Sequence, residues 1–258
     1  MLTKDMIVDR IETERPGPVR VAHRATGRRR LPPGPLVGAM AQPVLFAVLA
    51  ATTGLGLVGW LAGVAYAATL GVVLGRALRR RGRWSLAPAD HVTLVRALLV
   101  GCVTALVVDT VRTPAPIVPL VAISAVALAL DAVDGQVARR TGTASPLGAR
   151  FDMEIDAFLI LVLSIFVATS LGAWVLAIGT MRYAFVAAGL PLRWLLAPLS
   201  PRRSRKVVAA LQGIVLTVVA AGVLSRPVEM AATGLALAAL VWSFTADILR
   251  LHRIRRAA

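Results

Sequence analysis

Long apolar segments constrain the fold of this chain more than any other feature. Residues 35–75 contain no charged side chain, and this run is twice the roughly 20 residues that cross a bilayer as a helix. The run must therefore fold back, and we predict helices near 36–53 and 57–75 with a turn at Gly54–Gly56. The strict alternation of a transmembrane β-strand is absent. The chain is thus predicted to be an all-α, polytopic membrane protein.

The rest of the chain repeats this pattern, and 57% of all residues are hydrophobic. Polar, Pro-containing or basic segments separate the apolar runs, as expected for loops between membrane helices. Six further spans are predicted near 92–108, 117–138, 149–170, 173–190, 207–224 and 228–249.

The first turn of the apolar region contains a G-x-G-x-x-G pattern at Gly54, Gly56 and Gly59. A dinucleotide site would need a preceding strand and an acidic residue about 20 positions further on. Neither is present, so we interpret the glycines as a turn or a helix-packing surface.

The net charge is +16, which in a soluble protein would favour a nucleic-acid partner. Here the basic residues lie between apolar spans, where they set topology and attract anionic membrane lipids. With eight spans and both termini in the cytoplasm, only Arg112 and Arg226 of the 29 Lys and Arg fall on the outer side. We therefore predict an integral protein of the cell (inner) membrane with cytoplasmic termini, and no nucleic-acid partner.

Five of the 13 acidic residues fall in one window, Asp131 to Asp156, between two apolar runs. Asp131 and Asp134 are spaced i, i+3, and Asp152 and Asp156 are spaced i, i+4, so each pair shares a helix face. A short loop between the helices would bring the pairs together at the cytoplasmic edge of the membrane. Carboxylates there are costly and usually mark a functional site.

Two interpretations of the window remain open on these residues alone. Four clustered carboxylates need a cation, and oxygen-only ligands suit Mg²⁺, Mn²⁺ or Ca²⁺. Gly135 permits close approach to the backbone and Arg139 can contact a phosphate, which favours a diphosphate substrate. Alternatively, the carboxylates are ordinary helix-end residues paired with Arg139, Arg140 and Arg150.

The window matches a longer pattern without a gap, D-x2-D-G-x2-A-R-x8-G-x3-D-x3-D. In this pattern the chain resembles the CDP-alcohol phosphotransferase family, which comprises integral membrane enzymes of phospholipid synthesis. Thr93 and Arg96 also match the family's N-x2-T-x2-R, while Asp90 stands where Asn is usual. Together with the composition of the N-terminal segments, the resemblance predicts three regions: a basic cytosolic tail at 1–34, two extra transmembrane helices at 35–76 and a six-helix catalytic domain at 84–252.

The resemblance also implies a reaction and its cofactors. Such enzymes use two divalent ions, Mg²⁺ or Mn²⁺, to transfer a phosphatidyl group from a CDP-alcohol lipid such as CDP-diacylglycerol to a hydroxyl acceptor, releasing CMP. The aspartate matching Asp156 is the proposed general base, and relatives are often homodimers. The implied metal ligands are Asp131, Asp134, Asp152 and Asp156, and the implied nucleotide-binding residues are Thr93, Arg96, Gly135, Ala138, Arg139 and Gly148.

The acceptor has to be inferred from residues outside the window. Arg182 lies within a predicted span, where an arginine usually faces an interior cavity. With Arg150, Arg205 and Lys206 it forms the predicted acceptor-binding set, which favours a polyol phosphate such as glycerol 3-phosphate or an inositol phosphate. A soluble CDP-alcohol donor remains an alternative, as does a divalent-cation transporter that uses the same carboxylates.

Overall fold

The computed structural model describes residues 33–81, 88–111, 116–141, 146–196 and 203–257. Within these ranges the protein is built from eight α-helices and contains no strand, as predicted. The predicted tail at 1–34 lies almost entirely outside the described residues. The helices are α1 (Pro33–Thr53), α2 (Leu57–Arg81), α3 (Pro88–Asp109), α4 (Ile117–Thr141), α5 (Pro146–Leu171), α6 (Leu176–Gly189), α7 (Arg203–Ala220) and α8 (Arg226–Ala257), with short 3-10 turns at Ala173–Val175 and Arg193–Leu196.

Among the described residues, four helical segments are long and apolar enough to cross a membrane. Three shorter apolar helices accompany them, at Ala41–Thr53, Ile117–Val133 and Ala173–Gly189. The all-α, polytopic membrane class predicted from the sequence is confirmed. The four long segments are Leu57–Ala77, His91–Asp109, Gly148–Leu171 and Arg226–Arg256.

Helices extend beyond the predicted spans into basic segments, most clearly α2 and α8. Helix α2 continues to Arg81, beyond its predicted end at 75, and α8 continues from its predicted end at 249 to Ala257. Arginine, leucine and alanine are good helix formers, and no Gly or Pro interrupts either extension before its end. Helical order therefore persists after the apolar composition has ended.

Helix α3 lies at the centre of the bundle. It packs against α1, α2, α4 and α5, and 72% of its apolar window is buried, compared with 17% for that of α2. Its inward positions include Ala97, Val100 and Val103, all fully buried. Small and β-branched side chains let neighbouring helices approach closely. A polar residue on the buried face of α3 is therefore surrounded by other helices.

The G-x-G-x-x-G segment forms a turn and a packing surface, as predicted. Gly54 has a φ of 69°, in the left-handed region that favours glycine. A Cβ on Gly59 would lie 2.8 Å from the carbonyl oxygen of Ala105, so α2 crosses α3 in close backbone contact. Asp109, at the end of α3, accepts hydrogen bonds from the N–H groups of Gly56 and Gly59 at 2.9 and 3.2 Å. It thereby caps the first turn of α2 from another helix.

Candidate functional site

Three aspartates of the acidic window meet where α4 and α5 face α3. Asp131 lies on α4, and Asp152 and Asp156 lie one turn apart on α5. Each offers a carboxylate oxygen, and these three atoms lie within 4.8 Å of one another. The side chains are 40%, 32% and 32% exposed, so the cluster is open on one side. Carboxylates this close repel one another unless a cation lies among them.

Arg96 of α3 is the cation that the described structure places against these three carboxylates. Its side chain is only 1% exposed. Its Nη1 lies 3.1 Å from Oδ1 of Asp131. The same guanidinium donates hydrogen bonds to Oδ1 of Asp152 and to Oδ1 of Asp156. Its Nε donates to the carbonyl oxygen of Ala127 at 3.1 Å. One buried guanidinium therefore joins three helices and compensates three carboxylates.

Sequence reasoning assigned Arg96 to the nucleotide and missed its contact with the aspartates. The ordinary pairing considered for the carboxylates involved Arg139, Arg140 and Arg150 instead. One sequence signal pointed to this role, because an arginine inside an otherwise apolar span usually has an anionic partner in the bundle. The partner could not be chosen from the sequence, since it lies 35 to 60 residues away along the chain.

The donor set fits a hard divalent cation. The three clustered groups are all carboxylates, the ligand type that Mg²⁺ and Mn²⁺ prefer. Asp134, the fourth predicted ligand, lies on α4 one turn after Asp131, but its side chain is outside the described residues. Arg96 contacts oxygens of the same carboxylates. A divalent ion and this guanidinium would thus share one set of negative charges.

The predicted nucleotide segment follows directly after the cluster. Helix α4 continues through Gly135, Ala138 and Arg139 before it ends at Thr141, although the side chains from 134 to 147 lie outside the described residues. Thr93 is 3% exposed and lies one turn before Arg96 on α3. Gly148 lies in the first turn of α5 and is partly buried. The elements that contain the predicted nucleotide residues therefore adjoin the aspartate cluster.

Arg182 lies on α6 and contacts a different face of α5. Its Nη2 pairs with Glu154, and its Nη1 lies 3.0 Å from Sδ of Met153. Its Nε is buried and has no hydrogen-bond partner among the described residues. Glu154 is two positions from both Asp152 and Asp156, so it points about 160° away from them around the helix. Glu154 was not among the predicted metal ligands, and sequence reasoning missed this pairing.

The other three predicted acceptor residues are dispersed. Arg150 is exposed on the first turns of α5. Arg205, near the start of α7, lies 3.6 Å from Oδ2 of Asp247 on α8, and Lys206 is exposed beside it. Their role as a common acceptor site stays a prediction.

Comparison with known proteins places this site in a family. A family model for CDP-alcohol phosphatidyltransferases matches residues 86–245, a segment that contains Arg96 and the whole acidic window. Searches of curated proteins and of solved structures return no match. Since the family model covers more than half of the 258 residues, the chain belongs to the CDP-alcohol phosphatidyltransferase family, a family of transferases.

Proposed function

We propose that the protein transfers a phosphatidyl group from CDP-diacylglycerol to the hydroxyl group of a polyol phosphate and releases CMP. One observation supports this proposal most directly: three aspartates of the family's motif converge on one buried arginine. A polar site of this kind, at one end of apolar helices, suits a lipid-linked donor and a water-soluble acceptor. The family match supports the transferase class.

We propose that Asp131, Asp134, Asp152 and Asp156 hold two divalent ions, Mg²⁺ or Mn²⁺. Bound there, the ions would polarise the phosphoryl oxygens and stabilise the attacking and leaving oxygens. The carboxylate-only donor set supports this assignment. Arg96 has a complementary role in the proposal, since it neutralises the same carboxylates when the ions are not bound.

Asp156 is the proposed general base. It accepts the proton of the acceptor hydroxyl while the hydroxyl oxygen forms a bond to the phosphorus that is attached to diacylglycerol. The bond from that phosphorus to the CMP oxygen breaks, and CMP leaves with the electron pair. A positioned carboxylate contributes about 10²- to 10⁴-fold to such a step. The pairing of Asp156 with Arg96 orients the carboxylate for this role.

The donor's cytidine diphosphate is proposed to lie along the segment that follows Asp134. Gly135 and Ala138 would permit close approach of the nucleotide, and Arg139 would contact a phosphate. Thr93, Arg96 and Gly148 complete the proposed nucleotide site. The position of these residues on α3, α4 and α5, next to the aspartates, supports this assignment.

The acceptor is proposed to be a phosphorylated polyol, either glycerol 3-phosphate or an inositol phosphate. Arg182 is the main residue proposed to bind its phosphate, because its Nε is buried and has no partner among the described residues. Arg150, Arg205 and Lys206 are proposed to add positive charge on the same side of the membrane. We propose that this side is the cytoplasm and that the enzyme acts as a homodimer.

The test is an assay of CMP release by the purified protein in lipid micelles with Mg²⁺ or Mn²⁺. CDP-diacylglycerol is supplied as donor with glycerol 3-phosphate, inositol phosphate, free inositol or serine as acceptor. We expect CMP release that depends on a phosphorylated acceptor and stops when EDTA removes the metal. CMP release with a CDP-polyol but not with CDP-diacylglycerol would show that the donor is a soluble CDP-alcohol. No CMP release from folded protein with any pair of donor and acceptor would refute the proposal.

A further inference from the structure

Helices α1 and α2 precede the segment that matches the family, which begins at residue 86. They are nevertheless joined to the helices of the candidate site by polar side chains. Two of these side chains, Gln42 and Tyr66, donate hydrogen bonds to consecutive backbone carbonyls of α3. These carbonyls directly follow Arg96 in the sequence, so the added helices contact α3 at the level of the site.

Tyr66 contacts both α3, which contains Arg96, and α5, which contains Asp152 and Asp156. Its hydroxyl donates to the carbonyl oxygen of Ala97 at 2.9 Å. Its ring lies 5.3 Å from the ring of Phe158, at an interplanar angle of 30°. Ala97 is the residue after Arg96, and Phe158 is two residues after Asp156. One side chain of α2 thus contacts both α3 and α5 within two residues of the ion pair.

Gln42 makes the matching contact from α1. Its side chain is 2% exposed, and its Nε2 donates to the carbonyl oxygen of Leu98 at 3.2 Å. Gly101 provides the space for both contacts, since a Cβ there would lie 2.7 Å from Nε2 of Gln42 and 2.9 Å from Cδ1 of Tyr66. Glycine at a helix interface allows the close approach that such hydrogen bonds need. The hydrogen bonds then favour one relative position of the two helices.

We propose that Tyr66 and Gln42 are positioning residues of the active site, and that α1 and α2 hold α3 so that Arg96 meets Asp152 and Asp156. The chemistry in this inference rests on the proposed function, while the contacts do not. Misplacing a group by about 1 Å can lower a rate by about 10²-fold. Loss of a hydroxyl at a helix interface is therefore expected to affect the chemical step.

The experiment compares Tyr66→Phe and Gln42→Met with the control Thr69→Val. Tyr66→Phe keeps the ring that contacts Phe158 and removes only the hydroxyl. Thr69 lies one turn further along α2, is exposed, and donates a hydrogen bond to the carbonyl oxygen of Ala65 in its own helix, at 2.8 Å. For each full-length variant we would measure the thermal midpoint, kcat and KM for CMP release, and the Kd for Mn²⁺ by electron paramagnetic resonance.

We expect Tyr66→Phe and Gln42→Met each to lower kcat by about 3- to 10-fold, the range set by one interhelical hydrogen bond. KM for the acceptor should change by less than about twofold, because Arg182, the main proposed acceptor residue, contacts a different face of α5 from Arg96. Mn²⁺ affinity should change in the same variants, and Thr69→Val should match the parent protein. Unchanged kcat and Mn²⁺ affinity in folded Tyr66→Phe and Gln42→Met would overturn the inference, even with a lowered thermal midpoint.

A double-mutant cycle on Mn²⁺ affinity separates positioning from general stabilisation. If Tyr66 acts through Arg96, Tyr66→Phe should have no further effect in an Arg96→Lys background, whereas additive effects would overturn the inference. The cycle also distinguishes the two proposals. Coupled Mn²⁺ affinities without any CMP release would support the positioning role and refute the proposed function. Normal CMP release with no effect of either variant would support the proposed function and refute the positioning role. A folded protein that neither binds Mn²⁺ nor releases CMP would refute both proposals.

Discussion

Arg96 is the residue on which the site depends. It is a buried guanidinium bonded to three carboxylates and one backbone carbonyl. Removing one partner of a buried ion pair leaves an uncompensated charge, which costs about 3–5 kcal/mol. The geometry also has a chemical use, because Arg96 holds the carboxylates of α4 and α5 together before any metal or nucleotide is present. The site is thereby kept close to its working arrangement.

At the residue scale, Asp156→Asn tests the proposed base. The amide keeps the size of the side chain but cannot accept the proton of the acceptor hydroxyl, so we expect kcat to fall by at least about 10²-fold. Binding of the donor nucleotide should change little. The measurements are CMP release and the Kd of a CDP ligand, with Glu229→Gln in the first turn of α8 as the control. Activity comparable to that of the parent would remove Asp156 as the base.

Arg182→Ala tests the acceptor site. We expect the acceptor KM to rise by about 10-fold or more, since a hydrogen bond to a charged group contributes about 1.5–3 kcal/mol, and the donor KM to stay nearly constant. Arg226→Ala is the matched control. Arg226 donates to the carbonyl oxygen of Ser170 at 2.8 Å, and Ser170 lies about 24 Å along α5 from Glu154, the partner of Arg182. Equal increases in both KM values would argue against a role in acceptor binding.

At the scale of the elements, α2 and α3 are joined by backbone proximity as well as by side-chain hydrogen bonds. A Cβ on Gly59 would lie 2.8 Å from the Ala105 carbonyl and 2.6 Å from Cδ1 of Leu55. A Cβ on Gly63 would lie 2.4 Å from Cζ of Phe46 on α1, a residue that is 1% exposed. Gly71, further along α2, has nothing within 4 Å of its Cβ position. The glycines of α2 therefore differ in whether a larger side chain fits at their positions.

These contacts predict opposite outcomes for two identical substitutions in α2. Gly59→Ala must push α2 away from the backbone of α3, which we expect to destabilise the protein by about 1–3 kcal/mol. Gly71→Ala adds a methyl group in open space and replaces glycine by a better helix former, so it should be neutral or stabilising by up to about 1 kcal/mol. Thermal unfolding in detergent compares the two. Similar thermal midpoints would contradict the packing described here.

At the scale of the whole molecule, the sequence was sufficient to predict the helices and three members of the cluster. Uncharged runs about 20 residues long require helices in a bilayer, and the spacings of Asp131, Asp152 and Asp156 require shared helix faces. Both inferences depend only on local periodicity. The eight predicted spans correspond to the eight helices found within the described residues.

The contacts between distant segments were beyond the reach of sequence reasoning. Arg96 pairs with residues on two other helices, Tyr66 bonds to a backbone carbonyl, and Asp109 caps a helix that begins some fifty residues before it. Backbone carbonyls and N–H groups occur at every position, so no residue pattern marks the ones that are used. Helix ends in basic segments were also missed, because loss of apolar character marks the membrane boundary and not the end of the helix.

The orientation of the molecule is testable with the single cysteine of the chain. Cys102 is buried and free, so the parent protein should not react with a membrane-impermeant maleimide. Arg226 and Arg255 are exposed near the two ends of α8. We expect Arg226→Cys to be labelled on intact cells and Arg255→Cys only after permeabilisation. The opposite result would reverse the proposed topology.

The cap that Asp109 places on α2 has a consequence for biogenesis. A chain made from its N-terminus completes α2 before Asp109 has been synthesised. Until α3 is inserted, the N–H groups of Gly56 and Gly59 lack the carboxylate that accepts their hydrogen bonds in the finished fold. The first turn of α2 therefore gains this cap only after α3 has been synthesised and has packed against α2.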